Sequence, residues 1–150
     1  MIKRVTTEIE ANECDKMLNE LIIDEKKYNK FIEEDFKVKF YYKNIMDKEE
    51  NIILVDKENI NDEEIIRGYV FARPIRDDEI EGYLINALYV KEEYRNMGIA
   101  KKLLNEVMNL VKEKNPKFID INVMYDNNIA KKIYDELNFK PFRLTMRLDK

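Results

Sequence analysis

The chain has 150 residues, enough for one domain spanning 1–150 with a sizeable core and too few to expect two. Lys and Arg total 27 against 31 Asp and Glu, a net charge of −4, so the basic excess that a nucleic-acid partner requires is missing. Histidine is absent and Cys14 is the single cysteine, which excludes an internal disulfide and a Ser-His-Asp or Cys-His nucleophile, and leaves zinc only a site of carboxylates, so no metal is expected.

The first ten residues lack an apolar signal core and no apolar run approaches membrane-spanning length. The expectation is a cytoplasmic protein without a membrane partner. Residues 2–6 alternate and read as a first strand. Over 11–28, Cys14, Met17, Leu18, Leu21, Ile22 and Tyr28 recur mostly at three and four, the spacing of an amphipathic helix. Cys14 reads as a half-buried residue of that helix rather than a nucleophile. A second helical stretch is expected near 33–46, with Phe36, Phe40 and Tyr41 on its apolar face. Residues 51–56 and 65–75 read as strands joined by a long acidic loop, and 83–90 pairs with the latter across the turn region 76–82.

Beyond that hairpin, Ile99, Leu103, Leu104, Val107, Met108 and Val111 form one apolar helix face, which "KNP" at 114–116 ends. Residues 118–125 alternate as a strand, 127–137 read as a short helix and 142–148 as a last strand. The order β-α-α-β-β-β-α-β-α-β describes an α/β mixed sheet, antiparallel strands first, then a strand-helix-strand crossover that should be parallel.

The segment "RNMGIA" at 95–100 follows a strand ending in "LYV" and opens the long helix. A helix N-terminus carries unpaired N–H groups and the positive end of the dipole, and so favours an anion. Gly98 permits close backbone approach. The Walker pattern fails, because no GK[ST] follows. The dinucleotide fingerprint fails too, because Gly98 stands alone where three glycines are needed.

What remains, R-x-x-G-x-A after a strand and before a long helix, resembles the central motif of the GNAT superfamily of acyl-CoA-dependent N-acetyltransferases. A second motif of that family, N-x-x-A-x-x-x-Y followed by G-F, is matched by Asn127, Ala130 and Tyr134 and then by Asn138 and Phe139. Asn138 departs from the usual glycine, yet a left-handed helix end tolerates asparagine. The resemblance spans nearly the whole chain. It implies a mostly antiparallel central sheet with a parallel, splayed strand pair, flanked by helices.

The resemblance further implies that the turn formed by Arg95, Asn96, Met97, Gly98, Ile99 and Ala100 cradles the pyrophosphate of acetyl-CoA. Backbone groups of Leu88, Tyr89 and Val90 would meet the pantetheine arm. Tyr134 would act as general acid toward the departing thiolate, and Asn127 would bond the pantetheine or cap its helix, with Asp126 the rival cap. Asn86 stands where family members often carry a glutamate base, so the base comes through water from a carboxylate such as Glu33, Glu34, Asp35 or Glu81, or the amine arrives neutral. Lys101 and Lys102 oppose the helix dipole; they either face CoA phosphates or form a solvated face, as do Lys131 and Lys132. Glu33, Glu34, Asp35, Asp77, Asp78 and Glu79 as an acidic surround would suit a cationic acceptor.

The implied activity is acetyl transfer to a primary amine of a small molecule or peptide by direct attack. A non-catalytic acyl-CoA-binding or sensing domain is the alternative. A homodimer is expected from the family and from the exposed final strand.

Overall fold

Two tight turns organise the sheet. Asn61 and Asp62, at φ 52° and 66°, join β2 (Ile52–Ile60) to β3 (Glu63–Asp77), and Asp78 and Glu79, at 47° and 68°, join β3 to β4 (Ile80–Val90). Two successive left-handed residues match the twist of a hairpin. The long acidic loop expected between 56 and 65 is therefore absent. Lys57, Glu58 and Asn59 are weak strand formers, but pairing with Ile66, Ile65 and Glu64 overrides their propensity.

The computed structural model describes residues 1–33 and 37–150; Glu34, Asp35 and Phe36 lie outside the described residues. The sheet runs β1-β2-β3-β4-β5, with β1 at Ile2–Arg4 and β5 at Ile119–Ile121. All neighbours are antiparallel except β4 and β5, which are parallel. This is the expected mixed sheet, with β5 shorter than its alternating sequence suggests.

Helix α1 (Glu8–Glu25) starts at a capping box: the Thr7 hydroxyl accepts from the Glu10 N–H at 3.2 Å, and the Glu10 carboxylate accepts from the Thr7 N–H at 3.1 Å. Its face of Ala11, Cys14 and Met17 packs on Val55, Tyr69 and Phe71. Cys14 is fully buried, and burial pushes its thiol up, so it has neither the access nor the acidity of a nucleophile.

The second helix is only α2 (Tyr41–Ile45). Residue 38 is held out of a helix by Asn19, whose side chain accepts from the Val38 N–H at 2.7 Å and donates to its carbonyl at 3.2 Å. Phe40 is left-handed at φ 57° and exposed; the aromatic that enters the core is Tyr42, its hydroxyl 2.8 Å from that of Tyr69.

Against the other sheet face lie α3 (Ile99–Glu113) and α4 (Asn128–Glu136). All six residues of the expected α3 face are buried. The 118–125 segment approaches β4 closely: a Cβ on Gly82 would overlap the Phe118 ring. Gly82→Ala should therefore cost about 1–3 kcal/mol by overpacking, read as a lower midpoint in urea unfolding. An unchanged midpoint would mean that the ring shifts freely.

The expected last strand is not formed. Residues 142–148 lie outside any strand, and Phe142, Leu144, Met146 and Leu148 are exposed. The segment is tethered by side chains instead: Arg143 to Asp77 at 2.9 Å, and Asp149 to Lys30 at 2.8 Å. Alternation is present there, but no neighbouring strand takes it up.

Candidate functional site

The site begins at an irregularity in β4. Phe71 pairs with Ala87 and Ala72 with Ile85, so Asn86 is the extra residue of a bulge. Pairing with β5 covers only Tyr83, Leu84 and Ile85 and stops at that point. Beyond it, β4 continues to Val90 beside β3 alone, which leaves its edge from Asn86 to Val90 unpaired on the β5 side. The splay expected at Leu88, Tyr89 and Val90 is thus present. Tyr89 and Val90 are buried by their side chains and Leu88 is half-buried, so what they can offer a ligand is backbone.

The chain then passes through a short 3-10 turn, Glu92–Tyr94, into the "RNMGIA" segment. Asn96 at φ 63° and Gly98 at φ 79° are both left-handed, and this double reversal aims the chain into α3. Gly98 is the N-cap of α3 and supplies no capping side chain. Among the described residues, the backbone N–H groups of Asn96, Met97, Gly98, Ile99, Ala100 and Lys101 donate to no protein acceptor. A run of such donors at the positive end of a fifteen-residue helix is suited to an anion. A Cβ at Gly98 would meet nothing within 4 Å, so the turn is open on that side.

Arg95 differs from its neighbours. Its own N–H donates to the Glu92 carbonyl at 3.3 Å, its Nε to the Val90 carbonyl at 2.8 Å, and its terminal nitrogen to Asp24 at 3.0 Å. Its guanidinium also lies over the Tyr89 ring, 5.2 Å from the centroid. Arg95 therefore pins the turn to the end of β4 and the end of α1 rather than presenting a free cation. Ile99 is core and Ala100 is half-buried, while Met97 is exposed.

On α4, the Asn127 side chain accepts from the Ala130 N–H at 3.2 Å. Of the two caps weighed from the sequence, Asn127 holds the position and Asp126 does not. Asn138, at φ 70°, ends the helix left-handed as expected. Tyr134 is half-buried and packs edge-on against Phe139, with ring centroids 6.2 Å apart. Burial first, and then the negative charge of Glu25, push its hydroxyl up to about 12. At neutral pH it is a protonated phenol that can donate.

Several expected residues do not converge here. Asn86 is exposed and its Oδ1 accepts from the Arg73 Nε at 2.9 Å. Glu81 sits at the far end of β4, paired with Arg76 at 2.9 Å and about 30 Å along the strand from Val90. Asp77, Asp78 and Glu79 share that distant end, so they form no acidic surround for the turn. Glu33 is exposed, and Glu34 and Asp35 lie outside the described residues. Lys101 pairs with Glu136 of α4, Lys102 is exposed, and Lys131 lies over the Tyr125 ring at 4.2 Å. A surface depression of about 830 Å³ between Pro74–Tyr83 and Lys114–Lys117 includes none of the motif residues.

One residue was missed. Asp24, next to the end of α1, holds the Arg95 guanidinium of the glycine turn at 3.0 Å. Its neighbours in "DEKKY" make it read as a solvated helix end, and periodicity, which tracks apolar residues, carries no signal for it. Among the described residues, no group of His, Cys, Asp and Glu could hold a metal ion, and no helix is long and apolar enough to cross a membrane.

Among solved structures, a mutant of the BH1408 protein from Bacillus halodurans matches with a TM-score of 0.81 at 18% identity, over 100% of this chain and 99% of that one. A transcriptional regulator from Bacillus halodurans C-125 matches at 0.73 and 18%, over 100% and 99%. An aminoglycoside acetyltransferase from an uncultured soil metagenomic sample matches at 0.67 and 14%, over 100% and 94%. At these identities the likeness carries the fold alone. The model of the Acetyltransferase (GNAT) family matches residues 16–139, a span that holds the strand splay, the glycine turn and both motifs, and the chain belongs to that family.

Proposed function

We propose that the chain transfers an acetyl group from acetyl-CoA to a primary amine by direct attack, with no covalent enzyme intermediate. The observation that carries this reading is the run of unpartnered N–H groups from Asn96 to Lys101 beside the β4–β5 splay, with a protonated Tyr134 packed against the core that holds Val90 and Ile99. The amides of Asn96, Met97, Gly98, Ile99 and Ala100 hold the CoA pyrophosphate, and Arg95 braces the turn. The unpaired β4 edge at Leu88, Tyr89 and Val90 lies along the pantetheine and orients the thioester for attack. Asn127, though it caps α4 through Oδ1, keeps its Nδ2 for the same arm. Tyr134 protonates the leaving sulfur. The absence of any reactive cysteine or histidine fits a mechanism in which the amine itself is the nucleophile.

The test is turnover of acetyl-CoA with a panel of amines: free polyamines, aminoglycosides, amino acids, and peptides with free N-termini or lysines. Thiol release coupled to acetylated amine supports the reading. A second reading, a non-catalytic acyl-CoA-binding or sensing domain, is favoured by Asn86, which has no proton-accepting side chain at its place in β4. Tight CoA binding without turnover on any amine would favour it over the first.

The acceptor is a small molecule or peptide, and the functional unit we propose is a homodimer. The exposed apolar side chains of Phe142, Leu144, Met146 and Leu148 support it, since a cluster of such groups left in water favours burial against another copy. Sedimentation of the intact protein should give twice the 18.2 kDa chain mass; a monomer at every concentration would refute it.

A further inference from the structure

We propose that Arg73 and Asn86 recognise a carboxylate carried by the acceptor amine, a role that rests on the acetyl-transfer reading above. The sheet brings the pair together beside the splay. On β3, Val70 and Ala72 face the core under α3, while Tyr69 and Phe71 face the core under α1 and α2. Alternation therefore puts Arg73 on the α1–α2 face, one step beyond Phe71. On β4, Ile85 belongs to the α3 side, so Asn86 falls on the α1–α2 face, and the bulge keeps Ala87 there as well. The two side chains meet: the Arg73 Nε donates to the Asn86 Oδ1 at 2.9 Å.

Asn86 is also the first residue of the β4 edge that β5 leaves unpaired. Tyr134, the proposed acid for the sulfur, packs on the α3 side, which α3 and α4 fill. An amine approaching the thioester has the opposite face open to it. There the helical cover ends at Tyr41 of α2, itself exposed, whose ring lies 6.3 Å from that of Phe71.

The unspent hydrogen-bonding capacity of the pair is the second argument. Among the described residues, the two terminal nitrogens of Arg73 and the Nδ2 of Asn86 donate to no protein acceptor. The guanidinium ends of Arg76, Arg95 and Arg143 all meet carboxylates, at 2.9 to 3.0 Å. Arg67, on the same strand as Arg73, shows what a purely structural arrangement looks like: its Nε is held by the Asp56 carboxylate at 2.6 Å, which cancels the charge. At Arg73 the holder is a neutral amide. It orients the half-buried guanidinium and leaves the charge in place. With Nε occupied, the two terminal nitrogens present a planar fork, the match for the two oxygens of a carboxylate. The Asn86 amide adds a neutral donor beside it. A polyamine or aminoglycoside would bring like charge to this place and find no carboxylate there.

The experiment uses acetyl-CoA and matched acceptors that differ only in the carboxylate: glycine, β-alanine and glycylglycine, each against its amide. Wild type should show a kcat/KM for the acids about tenfold or more above that for the amides. Arg73→Gln should lower kcat/KM for the acids by about ten- to a hundredfold, mostly through KM, and so erase the preference. The intrinsic reactivity of each amine cancels, because every acceptor is compared with itself across the variants. Arg73→Lys keeps the charge without the fork and should recover part of the loss.

Asn86→Asp separates recognition from a structural bond. An aspartate at that place strengthens the contact to Nε and neutralises the guanidinium, so the urea midpoint should hold or rise while KM for the acids increases. If Arg73→Gln fails to fold, Asn86→Asp carries the test alone. Equal kcat/KM for acids and amides in wild type, or an acid-to-amide ratio that neither variant alters, would overturn this proposal and leave acetyl transfer standing. Absence of turnover by wild type on any amine would remove the parent reading and this one together.

Discussion

Gly98→Val is expected to abolish CoA binding while leaving the protein folded. Two effects separate cleanly at this position. Gly98 has φ 79°, so any β-branched residue there pays about 1–3 kcal/mol of backbone strain, a fraction of ordinary domain stability. The protein itself offers no obstacle, since nothing lies within 4 Å of the added Cβ. The space that valine would take is the open side of the amide run from Asn96 to Lys101, where the pyrophosphate is proposed to sit. Calorimetric titration with CoA should show no heat of binding in a variant whose urea midpoint is only modestly lowered. Gly98→Asn is the control, because asparagine tolerates the left-handed region better than valine and so lessens strain while keeping a side chain in the way. If both variants bind CoA with wild-type affinity, the turn is an ordinary helix entry and the pyrophosphate assignment is wrong.

The parts of the molecule legible in its sequence are those where local chemistry and tertiary burial agree. Ile99, Leu103, Leu104, Val107, Met108 and Val111 recur at helical spacing, and the sheet buries that same face. Asn138 could be placed at a left-handed helix end because asparagine tolerates one, and it is there. Where the chain was misread, a non-local partner decided the outcome. Lys57, Glu58 and Asn59 look like a loop until the Asn61–Asp62 turn folds them onto β3. The stretch before α2 has helical apolar spacing, but Asn19, on another element, takes both backbone groups of Val38. Residues 142–148 alternate as a strand should, yet a strand also needs an edge to join, and sequence periodicity says nothing about that.

The site divides in the same way. The glycine turn and Tyr134 belong to contiguous motifs and were readable. Arg95 was readable as part of a motif, but its bracing contacts with Asp24 and Val90 were not, since one of them spans 71 residues. Asp24 matters only because α1 ends beside the glycine turn. That is a fact of packing, with no local signature in "DEKKY".

Tyr134→Phe is expected to lower kcat by roughly a hundredfold or more with little change in CoA affinity. The substitution keeps the edge-on packing against Phe139 and removes only the hydroxyl, so stability should change little. The argument for a large effect is the protonation state. With its hydroxyl held up at about 12, Tyr134 keeps its proton throughout the neutral range, as an acid needs. The leaving thiolate is a strong enough base to depart slowly without help, and a donor placed at the sulfur speeds that step without contributing to binding of the ground state. The loss should therefore fall on kcat and on kcat/KM alike, with KM for acetyl-CoA near wild type. Deleting the acid should lower the rate by a similar factor across the neutral and mildly alkaline range, where the hydroxyl keeps its proton. Near-normal turnover in Tyr134→Phe would return the hydroxyl to a packing role and leave the leaving group to water.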